Sequence, residues 1–153
     1  MIHSKLSPIL LYYWANWLYR HHVPLLPRFL QLLLYLLNNA VIPYRAQIGK
    51  DCLLGHGGGG VVIHPAVRIG SRVLICHQVT IGGTGNSHSV PVIGNDVYIG
   101  AGAKILGPIT IGDNCVIGAN AVVVKSVPQR CVAAGVPARI LRENVDAHSV
   151  EQW

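Results

Sequence analysis

Between Ile93 and Val127 the apolar positions recur every six residues. Ile93, Ile99, Ile105, Ile111, Ile117 and Val123 open successive hexads, often followed by Gly, and the fifth places hold Val97, Ala103, Ile109, Cys115, Ala121 and Val127. A six-residue internal repeat predicts a parallel β-helix, an all-β fold in which three hexads form one triangular coil. Coils stack at the strand spacing of about 4.8 Å. The opener points inward onto its copies, and Gly or Asn takes the turn, where positive φ is cheap for those residues.

The same register extends upstream through Ile63, Ile69, Ile75 and Ile81, with earlier hexads opened by Ile48 and Leu54. Nine residues rather than six separate Leu54 from Ile63, so residues 57–60 carry a three-residue insertion. The twelve residues from Ile81 to Ile93 keep the count, but Ser87 offers no aliphatic opener, which predicts a partly extruded loop over 82–90. Breaks in a regular solenoid are where function concentrates. Beyond Val127 the chain closes its last coil and enters a polar tail.

Residues 1–41 are different material. They hold seven of the ten aromatics and no acidic residue. Two helices are expected, about 6–20 and 25–40, broken around Pro24 and Pro27. Leu10, Trp14, Trp17 and Leu18 line one face of the first, and the second is apolar nearly all round, so it requires a partner surface. Its apolar run is too short to span a bilayer, and no small-residue cleavage site marks a signal peptide. Two readings of the helices stand: packing against the β-helix or a neighbouring subunit, or lying on a membrane surface with Lys5, Arg20 and Arg28 toward anionic headgroups. The chain thus divides into a helical segment (1–41), a β-helix (42–141) and a tail (142–153).

Composition narrows the chemistry. Twelve Lys and Arg against six Asp and Glu leave a net charge of +6, which favours an anionic ligand or surface. No arginine-rich run or nucleic-acid motif is present, so a phosphate-bearing small molecule is expected rather than nucleic acid. Four cysteines without a CxxC pair suit a reducing, cytoplasmic compartment and argue against structural zinc. Of eight histidines, His3, His21, His22 and His148 lie in termini or a helix break, and His64 in a turn. His56 and His77 are each the third residue of a hexad. Corrected for the insertion they lie one coil apart, stacked on one edge and flanked by both irregularities. His88, in the loop, is a third candidate that could reach a site from an adjacent subunit. A neutral imidazole is the natural base for a hydroxyl attacking an acyl group, and N–H groups of the glycine turns could hold the oxyanion. Lys104, Lys125, Arg130, Arg139 and Arg142 on the later coils suit phosphates.

The hexads, Gly82-Gly-Thr-Gly85, Ile99-Gly-Ala-Gly-Ala-Lys-Ile-Leu-Gly107 and Ala133-Ala-Gly-Val-Pro-Ala-Arg-Ile140 resemble the serine acetyltransferase branch of the left-handed β-helix acyltransferases, over about residues 42–141. The resemblance implies a left-handed coil, a homotrimer with sites between subunits, and acetyl-coenzyme A as donor with no metal required. It implies a pantetheine arm near Gly102, Ala103 and Lys104, and a nucleotide end near Gly135, Val136, Pro137, Ala138 and Arg139. Two alignments place the base, one on His56 and one on His77; the first keeps the coil count and ranks His56 ahead. The acidic residues that accompany the base in the family fall on Val41 and Gly55, or on Val62 and Cys76, and the substrate-gripping Arg-His falls on Ser89-Val90. These departures resemble enzymes that acetylate sugars. The expected activity is therefore O-acetyl transfer to a sugar or glycan, with His56 as base, His77 as its partner or alternative, and His88 contacting the acceptor. L-Serine as acceptor, a zinc enzyme of the carbonic-anhydrase type using the three histidines, and a non-catalytic scaffold are the rival readings.

Overall fold

The computed structural model describes residues 8–85 and 89–147. Three short-stranded sheets form the walls of a prism of about four coils. The first holds β1 (Gln47–Ile48), β4 (Arg68–Ile69), β7 (Val92–Ile93) and β10 (Thr110–Ile111). The second stacks β2 (Leu53–Leu54), β5 (Leu74–Ile75), β8 (Tyr98–Ile99), β11 (Val116–Ile117) and β13 (Val132–Gly135), with β14 (Ala138–Arg142) at its end. The third holds β3 (Val62–Ile63), β6 (Thr80–Gly82), β9 (Lys104–Leu106) and β12 (Val122–Val123). Pairing is parallel between coils; β13 and β14 alone form an antiparallel hairpin among the described strands. The six openers from Ile93 to Val123 and all six fifth-place residues from Val97 to Val127 are buried, forming the apolar column that holds the coils in register.

The two turn roles divide differently from expectation. The glycine after the opener keeps an ordinary φ at Gly49, Gly70, Gly94, Gly100, Gly112 and Gly118. It is required because a Cβ on Gly49 or Gly70 would stand 2.6 Å from the backbone of the next coil. Positive φ falls instead on the fourth place, at Asp51, Arg72, Gln78, Asp96, Asn114 and Asn120, with values of 56–58°. At Arg72 the guanidinium reaches one coil on and bonds both carboxylate oxygens of Asp96, each at 2.6 Å.

Strand pairing locates the insertions. Leu54 pairs with Ile75, twenty-one residues on, whereas Ile63 pairs with Ile81, eighteen on. The three extra residues form the 3-10 turn Gly55–Gly58 and the chain just after it. Ile69 pairs with Ile93, twenty-four residues on. Six residues beyond an ordinary coil therefore lie between Gly82, which still pairs with Leu106, and Val92; within that interval Val90 packs on the core and Pro91 is buried.

Helix α1 (Pro8–Arg20) buries Ile9, Tyr12 and Ala15, not the Leu10/Trp14/Trp17 face, which is exposed. The reason lies at β1, an edge strand whose polar groups need partners. The Tyr12 hydroxyl donates to the Ala46 carbonyl at 2.6 Å and accepts from the Ile48 N–H at 3.1 Å. The Tyr13 hydroxyl donates to the Gly49 carbonyl and accepts from the Cys52 N–H at 3.3 Å. Asn16 Nδ2 donates to the Tyr44 carbonyl at 2.7 Å. Helix α2 (Leu26–Asn38) lies against α1 and buries only Pro27 and Leu34 of its own residues. Among the described residues no helix is long and apolar enough to cross a membrane.

Candidate active site

The corner after the second sheet collects the candidate groups. Because β2 pairs with β5 in register, the third-place residues that follow them stack. The rings of His56 and His77 meet edge to face with centroids 5.1 Å apart. His56 is held in a left-handed conformation (φ 51°) followed by Gly57 (φ 71°) and Gly58 (φ 68°), a run of three positive-φ residues that the glycines make possible. Asn38 Nδ2 donates to the Gly57 carbonyl at 3.0 Å, and the Gly60 N–H donates to the Asn39 carbonyl at 3.2 Å, so the end of α2 fixes the turn.

His56 is exposed, whereas His77 is half-buried and its Nδ1 is buried without a hydrogen-bond partner. Both line an open depression of about 460 Å³ with Asn39, Gly59, Gly60 and Gln78. Neither ring has a carboxylate partner among the described residues. Next to His77, the Cys76 thiol lies 3.6 Å from the Tyr98 hydroxyl, and that contact, with burial, pushes the Tyr98 phenol up.

The remaining candidates are placed as follows. Lys104 Nζ donates to the carbonyls of Gln78 at 2.7 Å and Gly102 at 3.0 Å, so its charge is spent on the turn beside His77. The N–H groups of Gly60 and Gly102 donate to Asn39 and His77 carbonyls and are engaged. Gly102 and Ala103 follow β8 on the same corner, and Gly135 ends β13 on it. Val136 and Pro137, joined by a cis peptide, make the turn between β13 and β14. A second depression of about 370 Å³ is lined there by Val124, Lys125, Ser126, Pro137, Ala138 and Arg139, among others. His64 Nδ1 accepts from the Ala66 N–H at 3.2 Å, a turn-holding role. His88 lies outside the described residues. Among those described, no three His, Cys, Asp or Glu side chains come together to hold a metal ion.

Asn39 and Gln78 are site-lining residues that the reading of the hexads passed over. Asn39 carries a signal: an Asn in the left-handed region (φ 51°) at a helix C-terminus marks the cap that turns the chain toward the site.

Residues 91–125 match the bacterial transferase hexapeptide family (six repeats). A serine acetyltransferase of Helicobacter pylori (strain J99) is 36% identical over 146 residues, covering 94% of this chain and 85% of the relative. The chain belongs to the serine acetyltransferase family. Another serine acetyltransferase, from Synechococcus elongatus, is 42% identical over 129 residues, 83% of this chain and 52% of its own. The crystal structure of a serine acetyltransferase in complex with coenzyme A from Brucella abortus strain S19 superposes with a TM-score of 0.84 at 38% identity, over 90% of this chain and 56% of that one. The chain thus spans about half the length of the Synechococcus and Brucella serine acetyltransferases.

Membership corrects the sugar or glycan acceptor inferred from the missing contacts: the relatives are serine acetyltransferases. The inference had rested on positions lacking acidic side chains, Val41 and Gly55 or Val62 and Cys76, and on Ser89-Val90 standing where the substrate-gripping Arg-His is expected. The geometry shows why such positions mislead. Val41 bridges to Val62, and Gly55 stacks on Cys76, so the two alignments are one column read a coil apart. In such a stack, a group lost from one rung is no measure of what the adjacent rung or a neighbouring chain supplies.

Proposed function

We propose that the chain is an acetyl-coenzyme A-dependent serine O-acetyltransferase. The observation that carries the proposal is the His56–His77 pair in an open depression, on the prism corner that ends at the β13–β14 turn, whose Arg139 lines a second depression together with Lys125 after β12. From β5 to β13 the corner rises three strand spacings, about 14 Å. An extended pantetheine arm suits that path, along Gly102 and Ala103, with its phosphates toward Lys125 and Arg139.

The exposed His56 serves as base. It takes the proton of the serine hydroxyl as that oxygen bonds to the thioester carbonyl carbon. The tetrahedral intermediate then breaks its C–S bond, and the imidazolium returns the proton to the departing coenzyme A thiolate. His77, edge-on to His56 and partly shielded, orients the base in place of a carboxylate. The 82–91 loop, with His88, is assigned to the acceptor of a neighbouring subunit in a homotrimer. Four free, buried thiols accord with a cytoplasmic setting.

The test is thiol release from acetyl-coenzyme A with L-serine. Release is expected, falling by about 10²–10⁴-fold in His56→Ala. No release with serine would overturn the proposal, and full activity in His56→Ala would move the base to His77. The same preparation sedimenting as one chain mass rather than three would remove the neighbour's loop from the site.

A further inference from the structure

A solenoid end covered by a helix pair is expected to turn the apolar side of that pair inward. Here much of it faces out. On α1, Leu10, Trp14 and Trp17 are 44%, 62% and 51% exposed; on α2, Phe29, Leu32, Tyr35, Leu36 and Leu37 are 49–69% exposed. Exposed apolar side chains in this number on two adjoining helices mark an interaction site.

The charges around it indicate the partner. Residues 1–50 contain Lys5, Arg20, Arg28, Arg45 and Lys50 and no acidic residue. Arg28, one residue before Phe29, lines a cleft of about 300 Å³ with Gln31, Pro43, Tyr44, Arg45 and Pro65. The Arg45 guanidinium is held 5.8 Å from the Tyr19 ring centroid and 5.9 Å from that of Tyr44. Arg28 and Arg45 therefore line one cleft, and the exposed face of the same helix pair carries Trp14, Trp17 and Tyr35. Such rings settle at the level of lipid headgroups. A second copy meeting this face through a two-fold axis would set cations against cations. An anionic bilayer supplies both the apolar depth and the compensating charge. At thirteen residues each, the helices are about 20 Å long, a length suited to lying in the interface rather than crossing it.

We propose that the outer face of α1 and α2 docks the protein on an anionic lipid surface, with Arg28 and Arg45 receiving a headgroup phosphate. This goes beyond acetyl transfer and is independent of it. The test floats the full chain with phosphatidylcholine vesicles, with and without phosphatidylglycerol, and follows tryptophan emission in a Trp153→Phe background so that Trp14 and Trp17 report. Co-flotation and a blue shift are expected with the anionic vesicles only. Arg28→Gln and Arg45→Gln should each weaken partition about fivefold, and Leu36→Ser/Leu37→Ser should abolish it, while acetyl transfer in solution is unchanged. Inorganic phosphate at millimolar levels should not displace the protein. Several results would overturn the proposal: no partition, equal partition on neutral vesicles, or displacement by free phosphate. So would concentration-dependent assembly beyond the trimer that Leu36→Ser/Leu37→Ser dissolves, which would give the face to a second copy.

Discussion

Removing the Tyr12 and Tyr13 hydroxyls asks whether α1 is what seals the open end of the solenoid. Tyr12→Phe keeps the ring, which is 2% exposed, but leaves the Ile48 N–H without its acceptor. It also leaves the Ala46 carbonyl with only the long 3.4 Å contact from Asn16. A buried polar group left unsatisfied costs about 1–3 kcal/mol, so about 2 kcal/mol is expected for Tyr12→Phe. The half-buried Tyr13 site admits water, and about 1 kcal/mol is expected there. Together they amount to about 3 kcal/mol, or roughly 6–12 °C in Tm for a chain of this size. Urea unfolding followed by circular dichroism reads this as a lower midpoint at constant slope.

The same groups predict an alkaline limit. Burial pushes both phenols and the Cys52 thiol up from ordinary values of 10.0 and 9.0. Their neutral forms are favoured in the folded chain, so the stabilisation is complete below pH 9.0. It is lost as pH rises through the unfolded values toward the folded ones. The double variant should therefore lose less stability than the parent on passing from neutral pH to about pH 11. A double variant within about 0.5 kcal/mol of the parent, the range of ordinary surface changes, would refute the sealing role.

Two further outcomes probe the stack and the donor site. Gly100→Ala places a Cβ 2.6 Å from the Ala119 nitrogen one coil on; it should cost about 1–3 kcal/mol, read by the same urea titration. Lys125→Gln and Arg139→Gln should each raise the acetyl-coenzyme A KM about tenfold with kcat unchanged, as expected for a lost charge-assisted contact of about 1.5 kcal/mol; an unchanged KM would detach the hairpin depression from the donor.

The stack was legible because its signal is one-dimensional. Ile93 to Val123 repeat in sequence at the interval at which they repeat in space, and the nine-residue gap after Leu54 already carried the stacking of His56 on His77. The sequence shows an apolar Leu10/Trp14/Trp17 face on α1 but not which face turns inward, because that is decided by the edge of β1, whose polar groups pair with the Tyr12 and Tyr13 hydroxyls. The extra length after Ile81 was hard to place because a twelve-residue interval divides evenly by six, and only strand pairing shows that the coil there is longer by one hexad. The acceptor could not be read from Val41 or Gly55, since columns one coil apart are nearly interchangeable in sequence and only strand pairing distinguishes them.

Both insertions sit at corners, one of three residues after Leu54 and one of six after Ile81, and pairing resumes in register beyond each. Doubling the length of a flexible loop costs only about 0.6 kcal/mol in closure entropy, less than burying one methylene group returns. A corner can consequently lengthen, shorten or change its side chains while the walls on either side remain as they were. The scaffold separates the inheritance of its shape from that of its surface: substitutions can accumulate at the corners with little effect on whether the chain folds.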